Sequence, residues 1–340
     1  MGASALTDSI STRRTGRAAA WLLALGLSLL PVVGKATPAV DFPQWLETLR
    51  QEAVTKGISA PTLELALTGI APIPRILELD AKQPERTISF DTYLSRTVTK
   101  QRIAKARELY RTHHALLEKV GRQYGVQPRF IVALWGMETD FGRNMGGFKV
   151  VDALATLAYD GRRSAYFRKE LLEALQIIDE GHITADRMLG SWAGAMGQSQ
   201  FMPSSFLRYA QDFNGDGRRD IWGTPADVFA SAANYLSKVG WRMDQTWGRE
   251  VKLPKGNAAA GWTGFDKAQP LSVWAKRGVR QMNGKPLPAA SLSASLVLPD
   301  GPGGKAYLVY ENYRTIMDWN RSTYFATAVG ILADHIGAGV

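Results

Sequence analysis

The run Phe130-Ile131-Val132-Ala133-Leu134-Trp135-Gly136-Met137 is apolar almost all round and closes on Glu138. On a helix, the residues three, four and seven places before Glu138 are Trp135, Leu134 and Ile131, so its carboxyl shares a face with groups that solvate it poorly. Desolvation disfavours the charged form and lifts the pKa. A proton held near neutral pH is what a general acid needs to protonate a leaving oxygen. A helix C-terminus is also the end at which the macrodipole disfavours a carboxylate. Two readings stay open at this point: a placed acid, or a helix end that frays into water.

Cleavage between two sugars usually takes two carboxylates. Asp140 is the obvious second candidate, but two residues on it points about 200° away on a helix and cannot face the same bond. One acid is therefore placed without a matched partner. A single carboxyl suffices when the substrate supplies its own nucleophile.

A second cluster lies further along. Asp212, Asn214, Asp216 and Asp220 put oxygen ligands at places 1, 3, 5 and 9 of an EF-hand loop, with the carbonyl of Arg218 at place 7 and the turn Gly217 at place 6. Place 12 is Gly223 instead of Glu. The loop reads as a structural calcium site, or as an Asp/Gly-rich loop capped without metal. Arg162, Arg163 and Arg168, near Asp160, read either as contacts to carboxylates of a substrate or as a surface ion-pair cluster. His113 and His114 lie on a polar segment and read as solvated.

These residues are carried by a chain of helical texture. Asp41–Lys56 has helical apolar spacing and an Asp cap. Ala60–Leu67 is a second helix, followed by a Pro-rich connector at Ile70–Arg75. Phe90–Leu117 reads as one long polar helix, Pro128–Asp140 as a core helix and Ser164–Asp179 as an amphipathic one. Gly190–Ser205 is a Gly-rich loop running into a helix near Pro203, and Thr224–Val239 is helical with Pro225 in its first turn. Between Trp247 and Trp319 the texture changes to short strand-like runs (Glu250–Leu253, Leu271–Ala275, Ser293–Leu298, Ala306–Tyr310) divided by Gly and Pro clusters. Ser322–Ile336 returns to helix. The expected fold is mainly α: a helical body interrupted by a small antiparallel β insertion, with the last helix packing back on the body.

The 340 residues exceed one compact core, and a composition of 45% hydrophobic and 21% charged residues argues for a globular chain. Cys is absent, which excludes disulfides, thiol nucleophiles, Cys-based zinc sites and lipidation near the N-terminus. Four His without HExxH speak against a His-built metal hydrolase, and no Ser stands three places before a Lys, which excludes the SxxK acylases. Arg13, Arg14 and Arg17 precede the apolar run Ala18–Val33, and small residues flank a cut after Ala36. That order predicts a cleaved secretory signal at 1–36. The run is shorter than the about 20 residues of a span, and no later segment could cross a bilayer. The net charge of +10 stays positive without the leader, which suits an anionic envelope polymer. No long basic run with interleaved aromatics appears, so nucleic acid is not an expected partner.

Several motifs in order carry a resemblance: Tyr93–Ile103, WGMETDFG (Trp135–Gly142), DALATLAYDGRR (Asp152–Arg163), GSWAGAMGQSQFMPSSF (Gly190–Phe206), DFNGDGRRDIW (Asp212–Trp222), ANYL (Ala233–Leu236) and WNRSTYF (Trp319–Phe325). Over roughly residues 40–336 the chain resembles the lytic murein transglycosylases of the membrane-bound transglycosylase B type. The resemblance implies a lysozyme-like helical core with one glutamate. It also implies cleavage of the β-1,4 bond between N-acetylmuramic acid and N-acetylglucosamine in peptidoglycan, leaving 1,6-anhydro ends. Carried over, Glu138 would be acid and then base on the C6 hydroxyl of the muramic sugar. Tyr93, Ser191, Gln200, Tyr235 and Asn320 would line the glycan cleft. The family often has Tyr at the position of Phe325 and can have one at that of Trp319, so the stacking surface is kept while those hydroxyl hydrogen bonds are in question. The resemblance lets a late Asp227 close the calcium loop. No cofactor is expected for catalysis.

The resulting organisation is a leader at 1–36, an N-terminal helical region at 38–89, a catalytic core at 90–246 containing the loop 212–227, a β insertion at 247–318 and a returning helix at 319–340. Peptidoglycan glycan strands are the expected partner, and the mature form is expected in the periplasm without a lipid anchor. The readings that compete with it are a muramidase that uses water, and a peptidoglycan-binding scaffold without activity.

Overall fold

A computed structural model describes residues 40–81, 88–160, 163–255 and 257–339. The expected signal segment 1–36 and Arg162 lie outside the described residues. The described residues form one compact unit.

The helices are α1 (Phe42–Thr55), α2 (Ala60–Leu67), α3 (Pro74–Ala81), α4 (Phe90–Thr97), α5 (Lys100–Thr112), α6 (His114–Tyr124), α7 (Pro128–Thr139), α8 (Val150–Tyr159), α9 (Ser164–Asp179), α10 (Pro203–Tyr209), α11 (Pro225–Lys238), α12 (Leu271–Lys276), α13 (Glu311–Trp319) and α14 (Thr323–Gly337). The strands are β1 (Phe148–Lys149), β2 (Leu189–Gly190), β3 (Gly248–Lys252), β4 (Gln269–Pro270), β5 (Arg280–Gln281), β6 (Ser293–Val297) and β7 (Ala306–Val309). β1 pairs with β2, while the others form an antiparallel sheet in the order β4-β6-β7-β3-β5. The fold is therefore mainly helical with a small antiparallel insertion, as the texture of the chain implied.

Three expectations need correction. Phe90–Leu117 is divided among α4, α5 and α6. The β-branched run Thr97-Val98-Thr99 disfavours continuation, and the Thr99 hydroxyl takes the Arg102 N–H at 3.1 Å, capping a new helix instead. Leu271–Ala275 is the helix α12. Pro270 starts it, Leu271 and Trp274 bury the same face, and the Trp274 indole donates to the Ala294 carbonyl at 2.9 Å. The connector after Ile70 ends early, because Pro74 opens α3 and buries Ile76.

The apolar side chains gather in three clusters. One joins α4–α7 with α11, α13 and α14. A second joins α1–α3 with α8–α10. The third lies under the β insertion. α7 and α14 cross in the first cluster, where Gly330 lets the Trp247 ring lie against the helix: a Cβ there would stand 2.2 Å from that ring. Tyr235 and Trp319 pack against both the first and the second cluster. The seam between the two helical halves therefore runs past these two rings.

Candidate active site

Glu138 stands on that seam. The first position of α7 is Pro128, whose missing N–H costs nothing at a helix start. Every residue from Phe130 to Gly136 is buried. The helix then ends in left-handed backbone: Asp140 has φ 50°, Phe141 62° and Gly142 83°. Two such residues with side chains in succession are uncommon, and the terminus is held by hydrogen bonds. The Phe141 N–H donates to the Trp135 carbonyl, the Asn144 N–H to the Thr139 carbonyl and the Gly142 N–H to the Thr139 hydroxyl.

Glu138 is half-buried and borders a small cavity with Ile131, Leu134, Trp135, Val228, Phe229 and Trp319. The Trp319 indole donates to Glu138 Oε1 at 2.7 Å. Burial pushes the carboxyl up to about 7, and the indole hydrogen bond opposes the shift. The solvated, fraying helix end is thus not what the fold builds. Asp140 turns away from this cavity, to Arg102 and Arg143, each 3.2 Å from it.

Trp319 corrects the expectation about its position. The indole occupies a ring-shaped space and also delivers a hydrogen bond to the acid. Phe325 is buried and offers no donor. Tyr235 lies 4.8 Å from Trp319 ring to ring and donates its hydroxyl to the Asp318 carbonyl at 2.8 Å. Its phenol is pushed up to about 12 by burial, with Tyr209 and Asp318 adding to the shift. Tyr93 is raised by burial first and then by the charge of Glu138, with Arg102 opposing. Asn320 follows Trp319, is exposed, and accepts the Ser322 N–H on its side chain.

Ser191 and Gln200 lie on the Gly-rich loop. Ser191 Oγ accepts the Ala193 and Ala195 N–H groups. Gln200 (φ 48°) donates its amide to the Met145 and Gly197 carbonyls. Gln198 was not anticipated. Its side chain accepts from the Trp135 indole at 2.7 Å and donates to the Trp222 carbonyl at 2.8 Å, while its backbone carbonyl takes the Thr139 hydroxyl. It ties the loop to the end of α7. Ser199 beside it is buried, and its hydroxyl has no hydrogen-bond partner among the described residues. The repeated Gln-Ser-Gln was the available clue to both, but only the crossing of loop and helix gives them work.

Arg163 pairs with Asp80 at 2.7 Å and Arg168 with Glu52 at 2.7 Å, which is the ion-pair reading. His113 is half-buried, lying edge-on to Trp135 and Phe229, and burial lowers its pKa, while His114 is exposed.

The loop 212–227 is braced from within. Asp212 accepts the N–H groups of Gly215, Asp216 and Gly217. Buried Asp227 accepts those of Phe213 and Asp220. Asp220 holds the Trp222 and Gly223 amides, and Arg218 lies 3.6 Å from Asp216. Among the described residues no three His, Asp or Glu side chains converge as a metal cage. The donor set is oxygen throughout, however, and burial together with the charge of Asp212 raises the Asp227 carboxyl. A hard cation suits that chemistry. Among the described residues no helix is long and apolar enough to cross a membrane.

Comparison with known proteins follows this geometry. The chain matches the transglycosylase SLT domain over residues 41–334. It is 34% identical over 239 residues to the membrane-bound lytic murein transglycosylase B of Escherichia coli K12; the match spans 70% of this chain and 64% of that protein's length. SltB3 of Pseudomonas aeruginosa, solved in complex with NAG-anhNAM-pentapeptide, is 43% identical with a TM-score of 0.85, covering 88% of this chain and 80% of that one. Slt35 of E. coli, solved in complex with calcium, is 31% identical with a TM-score of 0.74, covering 86% and 92%. Fold, order of motifs and these likenesses agree: the chain belongs to the transglycosylase SLT domain family.

Proposed function

We propose that this chain is a lytic transglycosylase that cleaves the β-1,4 bond between N-acetylmuramic acid and N-acetylglucosamine and leaves 1,6-anhydro ends. Glu138 serves first as acid and then as base. The observation that carries the reading is a carboxyl held by the Trp319 indole at 2.7 Å in a cavity whose described lining includes no second carboxylate, where burial pushes its pKa up to about 7. The complexes of SltB3 with NAG-anhNAM-pentapeptide and NAG-NAM-pentapeptide support the same substrate class.

An indole is a donor only, so Glu138 Oε1 accepts and the acidic proton belongs on Oε2. Oε2 gives that proton to the bridging oxygen as the bond from C1 breaks. The electron pair leaves with the N-acetylglucosamine hydroxyl. The Trp319 N–H then stabilises the new carboxylate. The C6 hydroxyl of the muramic sugar attacks C1 and returns its proton to Glu138, so the acid is restored and no water is consumed. Tyr93, Tyr235 and Trp319 offer flat faces to sugar rings. Ser191, Gln200 and Asn320 supply polar contacts along the cleft. The helices at 38–89 brace the core at 90–246, and the insertion 247–318 with the returning helix 319–340 completes it.

The chain acts on glycan strands in the periplasm after removal of the segment 1–36. Asp212, Asn214, Asp216, the Arg218 carbonyl, Asp220 and Asp227 would hold a calcium ion, whose part is to stiffen the loop between the Gly-rich wall and α11.

The deciding experiment is a sacculus digest read by mass spectrometry, wild type beside Glu138→Gln. Anhydro ends weigh one water less than reducing ends. The variant is expected to keep sacculus binding and to lose at least about 10²-fold in turnover. Reducing ends from the wild type would instead make the enzyme a muramidase. Undiminished turnover by the variant would remove Glu138 from the mechanism, and no turnover by either would leave a binding scaffold.

A further inference from the structure

One oxygen of Asp300 joins three parts of the molecule. Asp300 sits in the Gly/Pro-rich loop between β6 and β7 of the insertion. Its Oδ1 accepts the Phe90 N–H at 2.7 Å and the Tyr324 hydroxyl at 2.5 Å. Phe90 is the first residue of α4, where an amide has no partner inside the helix. A carboxylate there also meets the positive end of the helix dipole. The Ser89 hydroxyl caps the Thr92 N–H, and Asp300 completes the helix start from 210 residues away. Lys305 of the same loop pairs with Asp91 at 2.8 Å. That contact is exposed and adds little.

The other donor leads to the cleft. Tyr324, on α14, is buried, with its ring 5.2 Å from Phe90 and 5.5 Å from Tyr93. Tyr93 belongs to α4 and stands near enough to Glu138 to sense its charge. Phe90 rests in turn on Tyr307 of β7, 6.1 Å ring to ring. The start of α4, the ring beside Tyr93 and the loop of the insertion thus meet at a single carboxylate.

We infer that Asp300 is a positioning residue for Tyr93, and that the β insertion sets the glycan cleft through it. The inference rests on the reading of Tyr93 as a cleft residue. Without the Asp300 contacts, α4 loses the anchor of its first turn and Tyr324 loses the shorter of its hydroxyl contacts to Asp300 and to the Ile88 carbonyl. Tyr93 then samples positions that do not receive a sugar ring. Substitutions of Asp300 or Tyr324 leave Glu138 and its Trp319 contact in place, so binding suffers more than the chemical step.

The test uses the full chain and a soluble tetrasaccharide of alternating N-acetylglucosamine and N-acetylmuramic acid. Asp300→Ala is expected to raise KM about tenfold, the scale of one charge-assisted hydrogen bond, while kcat stays within about twofold. Asp300→Asn keeps the acceptor and is expected to recover most of the loss. Tyr324→Phe keeps the ring without the donor and falls between the two. If Asp300→Ala does not yield folded protein, Tyr324→Phe carries the test by the same split of KM from kcat. Tyr93→Ala is the control. A raised KM in Tyr93→Ala with an unchanged KM in the Asp300 and Tyr324 variants overturns the positioning role and leaves the cleft reading intact. An unchanged KM in Tyr93→Ala overturns both. A lowered melting temperature in Asp300→Ala with KM unmoved makes the contact merely structural and also overturns it.

Discussion

The indole nitrogen of Trp319 and Oε1 of Glu138 lie 2.7 Å apart across 181 residues of sequence. In the proposed mechanism the contact orients the Glu138 carboxyl and leaves Oε2 to carry the proton. It also stabilises the charged form and so lowers a pKa that burial raises. Trp319→Phe keeps a ring and removes the donor. The alkaline limb of kcat/KM against pH is then expected to move up by about one unit, the equivalent of one hydrogen bond to a charge. A limb that stays in place would show that the indole does not act on the acid.

Glu138 also makes stability depend on pH. Its folded pKa, about 7, lies above the ordinary 4.5. A carboxyl shifted in this direction contributes stability that is complete below the unfolded value and is lost as pH rises through the folded one. Glu138→Gln, neutral at every pH, is expected to melt higher than wild type at pH 8, with the difference shrinking toward pH 4. Thermal melts across that range check the sign. A gap that widens on acidification contradicts it.

Gln198 holds the Gly-rich loop against α7. Gln198→Leu leaves the Trp135 indole and the Trp222 carbonyl without partners. Stability is expected to fall by about 1–3 kcal/mol. Chemical denaturation measures the change, and a loss within error would mean that neighbouring groups take over both contacts.

Gly146 lets the loop after α7 approach β2. Its φ is +94°, and a Cβ would stand 2.1 Å from the Gly190 carbonyl oxygen. Gly146→Ala is expected to cost of order 1–3 kcal/mol in backbone strain alone and to displace the wall carrying Ser191. A variant with wild-type melting and turnover would show that this close approach is dispensable.

Calcium bound to the loop 212–227 would stabilise the fold by mass action. The melting temperature of chelator-treated protein is expected to rise with added calcium, and Asp212→Ala is expected to abolish the response. A wild-type melting temperature indifferent to calcium would leave the loop as the self-braced turn that its amide contacts already make.

Much of this protein was legible in local pattern. The helical body, the Pro and Asp helix starts, the strands at 250, 293 and 306, and the poorly solvated carboxyl at position 138 each follow from neighbours within about one or two helical turns. Apolar periodicity and capping chemistry are short-range, and they act the same way in any fold. The run Leu271–Ala275 does not declare its helix because the six residues of α12, with two buried side chains, suit either period. Phe90–Leu117 is not one helix because the Thr99 cap competes with continuation by a small margin. What no local pattern contains is which distant groups close on the acid. Trp319 meets Glu138 because α13 and α7 pack in one cluster. Gln198 meets Trp135 because a loop crosses a helix end, and Asp300 reaches Phe90 because the insertion folds back on α4. Each of these contacts unites residues dozens to hundreds of positions apart. Burial of the apolar faces decides them, and with them the environment that sets the charge of a single carboxyl.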